Sequence, residues 1–235
     1  IFEENKSEYT FRSLSSIISS INNAKKSFTD IEFDIVVIDH NSPDKDVAQL
    51  KRQLNKSNLK SSFINLNVND FENNIKKVNA KNESVTKNQI SNMCNIHRSL
   101  LVAKTQCKDL VYFVEDDYLH DLNAISEMLF SYERISSQTN RELILCPSDY
   151  PYLYTKIDST NIFLGSNKHW RKVEETLCTF LTSKKILEKY WTKFVSMCQF
   201  EHYPFEKPLH DIYKKEYCLS PIPSLAIHFT NINSV

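Results

Sequence analysis

Apolar residues recur at two different spacings along the first 146 residues, and these spacings predict alternating helices and strands. Intervals of three and four residues are the period of a helix with one buried face, and they predict helices at residues 8–26, 47–54, 90–103 and 122–135. Short apolar, often β-branched runs predict buried strands at residues 33–38, 63–68, 110–114 and 143–146. Because strands and helices alternate, we expect an α/β fold with a mostly parallel central sheet flanked by helices.

The pattern changes after residue 146, where aromatic residues and prolines become more frequent and the predicted elements shorten. A strand is predicted at residues 176–182 and a helix at residues 184–195. Residues 69–89 are rich in Asn and Lys and predict an excursion over the surface. Since no internal repeat or low-complexity linker divides the chain, we expect residues 1–235 to form a single domain.

Three consecutive acidic residues end the strand predicted at residues 110–114. Glu115, Asp116 and Asp117 directly follow an apolar run, and carboxylates at the end of a buried strand need a cation or another polar partner. Hard divalent cations such as Mg²⁺ and Mn²⁺ prefer oxygen ligands and are commonly shared with substrate phosphates. The run therefore indicates a metal–phosphate site. The alternative is the start of a helix, whose first turn also favours negative charge.

A second polar cluster follows the strand predicted at residues 33–38. It consists of Asp39, His40, Asn41 and Ser42. In a parallel α/β sheet, ligands bind outside the carboxyl ends of the strands. We therefore expect Asp39 and the acidic run to lie at the same edge of the sheet and to face one cleft.

The composition excludes several ways of binding a nucleotide or a nucleic acid. Gly165 is the single glycine of the chain, whereas the Walker phosphate loop and the dinucleotide-binding fingerprint each need several glycines. Side chains and a metal would therefore have to hold the phosphates of any nucleotide. The chain has 29 basic residues (Lys and Arg) and 29 acidic residues (Asp and Glu). Its net charge therefore does not favour nucleic acid as a partner.

The cysteines and the hydropathy of the chain bear on where the protein is found. Its six cysteines include no C-x-x-C pair, which is typical of reduced thiols in a cytoplasmic protein. No apolar run approaches the ~20 residues that span a membrane, and the first residues do not resemble a signal peptide. We expect a cytoplasmic protein without a transmembrane segment, and peripheral contact with a membrane stays open.

The order of these elements resembles that of the family 2-type glycosyltransferases, which have the GT-A fold. In that family a strand after an amphipathic helix ends in Asp-Asp-Gly-Ser or Asp-Asp-Asn-Ser, and the matching residues here are 39–42. A later strand ends in an Asp-x-Asp metal motif, matched here by residues 115–117. The resemblance covers about residues 8–135. It implies a GT-A (Rossmann-like) fold in which residues 1–146 bind a nucleotide-sugar and residues 147–235 form the acceptor side.

The resemblance also implies roles for individual residues. Asp39 would contact the base of the nucleotide-sugar, with Glu115 and Asp116 among the other residues that bind this donor. Asp117 would ligate Mn²⁺ or Mg²⁺ on the diphosphate, with Glu115 and His228 as further metal ligands. His228 lies in an apolar run near the end of the chain, where some GT-A enzymes place a metal-binding histidine. A histidine in such a run is also often a structural residue.

An inverting transferase further needs a base that deprotonates the acceptor hydroxyl. Relatives place an acidic residue at the start of a helix that follows the acceptor-binding segment, and Asp211 is the best positional match here. An acid in that position is equally typical of a helix cap. Glu174 and Glu175 are the alternatives for the base.

Together these features predict a metal-dependent glycosyltransferase of the hexosyltransferase type, acting with inversion. The donor would be a nucleotide-sugar, most simply a UDP-sugar, and the acceptor a saccharide or another hydroxyl compound. One alternative is a nucleotidyltransferase of similar topology, although its glycine-rich loop after the first strand is missing. The other is a catalytically degenerate GT-A binding module. Two features favour this alternative. Glu115 and His40 stand where the family motifs have aspartates, and no strand is expected at Ile1 and Phe2, where relatives have one.

Overall fold

The computed structural model describes residues 5–155, 157 and 159–229, so Ile1 and Phe2 lie outside the described residues. The α-helices of the described part are α1 Lys6–Ala24, α2 Asp44–Lys56, α3 Lys87–Gln106, α4 Ala124–Thr139, α5 Lys184–Lys189, α6 Trp191–Gln199 and α7 Lys207–Tyr213. The strands are β1 Asp34–Asp39, β2 Lys60–Asn65, β3 Leu110–Phe113, β4 Tyr118–His120, β5 Leu143–Leu145, β6 Ile162–Leu164, β7 His169–Lys172, β8 Phe180–Ser183, β9 Tyr217–Ile222 and β10 Ala226–His228.

Six of these strands form one mixed sheet in the order β3-β8-β5-β9-β7-β6. Within it β5 and β9 pair in parallel, and the other neighbouring strands pair antiparallel. The chain thus has an α/β fold, as predicted, but the expectation of a mostly parallel sheet is wrong for this sheet. The reason is that the chain after residue 146 contributes four of the six strands. Two of these strands, β7 and β8, run antiparallel to β5 and β9.

The first two strands form a separate parallel pair, β1 with β2. Glu32 precedes β1 and Lys108 precedes β3, and their side chains form an ion pair of 3.1 Å, so the two strands begin side by side. About halfway along α3, Asn95 donates a hydrogen bond of 3.0 Å to the carbonyl of Ile38 at the far end of β1. Because α3 leads from that end back to the start of β3, the carboxyl ends of β1 and β3 open on the same side.

The helices cover the strands through three apolar clusters. Leu14, Ile17 and Ile21 of α1 pack with α4 and the mixed sheet in the largest cluster. A second cluster joins α3 to α5, α6 and α7. The third lies beneath residues 68–75, where Phe71 and Ile75 are buried. The predicted surface excursion is therefore anchored to the core over its first part. In the described ranges no helix is both long and apolar enough to cross a bilayer.

Several predicted elements differ from the observed ones. Strand β2 begins at Lys60, three residues before the start of the strand predicted at residues 63–68. Strand β8 begins at Phe180, four residues after the start of the strand predicted at residues 176–182. The helix predicted at residues 184–195 is two helices that meet at Tyr190, whose φ of −110° and ψ of 22° are not helical. Strand β4 was not predicted, because its three residues become a strand only by pairing with the distant β10.

Candidate functional site

The acidic residues lie in the turn between β3 and β4. Glu115 lies just beyond the end of β3, and its backbone N–H donates a 3.0 Å hydrogen bond to Thr179 Oγ1. The Thr179 hydroxyl in turn donates to Glu115 Oε2 over 3.3 Å. Glu115 is an exposed residue by its accessible surface, although neighbouring protein atoms crowd its carboxylate. The surface between this turn and Asp39, at the end of β1, is the candidate cleft.

The electrostatics of this turn favour a positive charge. Desolvation by the surrounding protein, and then the negative charge of Asp117, raise the pKa of Glu115 to about 7, while His228 and Thr179 act in the opposite direction. The direction of the shift is that expected for two carboxylates that repel each other across the turn. A cation bound between them would relieve this repulsion.

Asp117 and His228 meet because β4 and β10 pair. His228 lies opposite Tyr118 in this pairing and stacks on its ring at 4.8 Å. His228 Nε2 is 2.9 Å from Asp117 Oδ2, with both side chains mostly buried. Burial by itself lowers the pKa of His228, but the hydrogen bond and the charge of Asp117 raise it overall. The structure thus brings together Glu115, Asp117 and His228, three of the residues predicted to bind the metal.

The other two predicted donor-binding residues occupy different surroundings. Asp39 ends β1 on the side where β3 also ends, and its carboxylate accepts hydrogen bonds from the Ser42 backbone and hydroxyl. Asp116 turns toward the start of α1, where Thr10 Oγ1 donates to its carboxylate over 3.1 Å. Lys6 lies 3.6 Å from the same carboxylate. Asp116 therefore holds α1 against the acidic turn.

Asp211, predicted to be the base, is not brought to this cleft. Its side chain is 53% exposed and pairs with Lys193 of α6 at 2.8 Å. That hydrogen bond lowers the pKa of Asp211, which makes the carboxyl a weaker base. Helix α7 buries Leu209 and Ile212, so Asp211 is left on its outer face. The alternatives Glu174 and Glu175 are also exposed.

Another acid of the same region is mostly buried, and sequence reasoning missed it. Glu206 precedes α7, and its side chain is 13% exposed. Burial raises the pKa values of Cys178 and Tyr152 most, and the charge of Glu206 adds to each shift. The same charge makes a minor contribution to the raised pKa of Glu115. Glu206 therefore lies in the neighbourhood of these three residues.

The signal for Glu206 in the sequence was its spacing to His210. Four residues separate them, one turn of a helix, and Glu206 Oε1 lies 3.8 Å from His210 Nε2. His210 Nε2 and the hydroxyl of Tyr213 are buried and have no hydrogen-bond partner among the described residues. Polar atoms that are buried without partners are costly, and the Tyr213 hydroxyl lies within the second apolar cluster, where Tyr213 is fully buried.

The side chains of the acidic turn do not form a metal site by themselves. Within the described ranges, no three His, Cys, Asp or Glu side chains are spaced to hold a metal ion. Mg²⁺ is usually bound by one or two carboxylates together with substrate phosphates rather than by a protein cage. Glu115 and Asp117 are oxygen donors of this kind, so a metal here would need further ligands from a bound phosphate.

Comparisons with known proteins do not assign the chain to a family. No protein-family model matches it, and a search of curated proteins found no match either. The geometry of the cleft is therefore the basis for any statement about function.

Proposed function

We propose that this protein is a metal-dependent glycosyltransferase with a GT-A-like donor site, which moves a sugar from a nucleoside-diphosphate sugar to an acceptor hydroxyl with inversion. One observation carries the proposal: Glu115 and Asp117 lie together in the turn at the carboxyl end of β3, on the side where Asp39 ends β1. Carboxylates in that position are suited to a cation on a diphosphate, and Asp39 is suited to the nucleoside beyond it.

Each residue of the turn has a definite part in this reaction. Glu115 and Asp117 would hold Mn²⁺ or Mg²⁺, with His228 as a further ligand if its ring exchanges Asp117 for the metal. When bound, the cation would stabilise the negative charge that develops on the leaving diphosphate. Thr179 orients Glu115 through the two hydrogen bonds described above.

The pair of Asp117 and His228 favours one competing function. Asp117 raises the pKa of His228 at 2.9 Å, and His228, when protonated, offsets the charge of Asp117 without a metal. A GT-A-like module that binds a partner and catalyses nothing would keep this ion pair. Metal-dependent binding of a nucleotide distinguishes the two functions.

The test is calorimetric binding of UDP in the presence and absence of Mn²⁺ to the wild type, Asp117→Asn and Asp109→Asn. Asp109 is a matched control, since it is exposed and precedes the same strand at its other end. We expect UDP to bind the wild type and Asp109→Asn only with Mn²⁺, and Asp117→Asn to bind it at least about 10²-fold more weakly, as for a lost charged contact of ~3 kcal/mol.

Two results contradict the proposal. One is a wild type that binds neither UDP nor any other nucleoside diphosphate in the presence of Mn²⁺ or Mg²⁺. The other is an Asp117→Asn variant whose affinity for the nucleotide equals that of the wild type. Release of UDP from a panel of UDP-hexoses then identifies the donor sugar.

A further inference from the structure

Strand β2 has an edge that no other strand covers. Among the described residues it pairs with β1 alone. The Leu66 N–H just beyond β2 donates over 2.7 Å to the Asp39 carbonyl of β1, and alternate residues of a parallel strand direct their backbone groups to the same neighbour. Ser62 is in phase with Leu66 and therefore bonds to β1. Ser61 and Phe63 are out of phase, so their N–H and C=O groups are directed to the open edge.

A groove of about 220 Å³ runs along this edge, between β2 and α2. Lys51, Leu54 and Asn55 of α2 line one side, and residues 61–63 of β2 line the other. The Lys51 side chain reaches across to β2, where its ammonium group lies 4.9 Å from the centre of the Phe63 ring. The groove therefore leads a ligand to the backbone groups that lack a partner strand, and an extended chain is the ligand whose own backbone matches them.

The segment that forms the groove carries basic but no acidic side chains. Residues 47–69 contain no Asp or Glu and four basic residues, Lys51, Arg52, Lys56 and Lys60. Lys60 pairs with Asp34 of β1 at 2.6 Å, whereas the other three form no ion pair in the described part of the chain. Because the whole chain has no net charge, this segment is locally positive, and it attracts an acidic partner.

We propose that this groove is a docking site for a partner protein, which adds an extended, acidic segment as a strand to the open edge of β2. Hydrogen bonds with the backbone of Ser61 and Phe63 hold the segment, as is general for strand addition. Acidic side chains on its α2 side meet Lys51 and give the site its specificity. A second copy of this chain is a poor occupant, because pairing β2 with β2 brings two basic edges together. The site is independent of the nucleotide-binding function proposed above.

The test uses two peptides, blocked at both ends and six residues long like β2. One alternates Glu with Val and the other alternates Lys with Val, and amide NMR spectra of the protein follow the titration of each. We expect the Glu peptide to bind and, when saturating, to slow amide hydrogen exchange at Ser61 and Phe63 at least ~10-fold, because these amides become hydrogen-bonded. Exchange at Ser62 should not change, since its N–H already donates to β1. The Lys peptide should bind at least ~10-fold more weakly because of like-charge repulsion.

Two pairs of variants check the mode of binding. Lys51→Glu should lower the affinity for the Glu peptide at least ~10-fold. Lys45→Glu, an exposed change in the first turn of the same helix, should leave the affinity within about 2-fold. Ser61→Pro removes an N–H that faces the groove and should cost about 3–10-fold in affinity, the usual effect of one hydrogen bond. Ser62→Ala removes no backbone group and is its control. Thermal unfolding shows whether each variant is folded.

Several results would contradict the proposal. One is a Glu peptide that does not bind at millimolar concentration, or that binds no better than the Lys peptide. Another is a folded Lys51→Glu variant with the affinity of the wild type, and a third is a set of NMR shifts that lie outside α2 and β2. If sedimentation shows a dimer of the protein that Ser61→Pro dissociates, the edge belongs to a second copy of the chain and not to an acidic partner.

Discussion

At the scale of single residues, His120 shows how burial fixes the charge of a side chain. It is 7% exposed on β4. Its Nε2 lies 2.7 Å from the Tyr112 hydroxyl, and its backbone N–H donates to Ser16 Oγ over 3.0 Å. Burial lowers the pKa of His120 from 6.5 to about 4. The imidazole is therefore neutral in the folded protein at neutral pH and serves as a structural hydrogen-bonding group beneath the acidic turn.

This pKa shift predicts a pH dependence of stability. Between pH 6.5 and about 4 the unfolded chain binds a proton at His120 and the folded protein does not, so the free energy of unfolding falls as the pH is lowered through this window. The loss over the whole window is about 3 kcal/mol. Urea unfolding at several pH values should show a shallower pH dependence for His120→Gln than for the wild type. The exposed His169→Gln is the control. Equal slopes for the wild type and His120→Gln would contradict the assignment.

At the scale of elements, one buried carboxylate connects α4 to the hairpin of β6 and β7. Glu127 accepts hydrogen bonds of 2.8–3.2 Å from the backbone N–H groups of residues 166–168. Ser131 of the same helix donates to it over 2.8 Å. The hairpin turn begins at Gly165, where a Cβ atom would come within 2.4 Å of Ser131 Oγ and of the Trp170 ring. The single glycine of the chain is therefore required by close packing.

Replacing the Glu127 carboxylate should loosen this connection. Glu127→Gln puts an amide donor among backbone donors, and a buried group left unsatisfied costs about 1–3 kcal/mol, more where a charge is involved. We expect a lower midpoint of urea unfolding and faster amide hydrogen exchange at residues 166–168. Glu133→Gln, an exposed change on the same helix, should alter neither. If both variants unfold at the urea concentration of the wild type, the carboxylate does not support the hairpin.

The same scale shows which elements could be predicted from the sequence. Helices α1 and α3 and strand β1 follow from local apolar spacing. Helix α1 packs on the largest cluster together with Ile35 and Val37 of β1, and α3 packs on the other two clusters. Strand β4 could not be predicted, since it depends on pairing with β10. Glu115 and Asp117 are conspicuous as a run of acids, whereas Glu206 is not. Its four-residue spacing to His210 indicates only that the two side chains can meet, and their burial depends on how α7 packs on the second apolar cluster.

At the scale of the whole molecule, the candidate site joins two separate sheets. Asp39 belongs to the β1–β2 pair, and Glu115 follows the edge strand of the mixed sheet. Helix α3 spans the two, with Asn95 on the carbonyl of Ile38 and Leu100 in the cluster behind β3. A nucleoside diphosphate would contact both sheets at once, whereas pyrophosphate would reach the acidic turn alone. The two ligands therefore report on different parts of the cleft.

This difference predicts how ligands should change the thermal stability of the protein. A ligand that binds only the folded state stabilises it by RT ln(1 + [L]/Kd), which is ~2.7 kcal/mol at 100 times Kd. We expect Mn²⁺ with UDP to raise the Tm of the wild type more than Mn²⁺ with pyrophosphate does. Asp39→Asn should remove most of that difference and leave the pyrophosphate effect unchanged, because Asp39 ends β1 and is not part of the acidic turn. The control Asp30→Asn, an exposed residue before the other end of β1, should behave as the wild type. If Asp39→Asn keeps the full UDP effect, the two sheets do not share one nucleotide site.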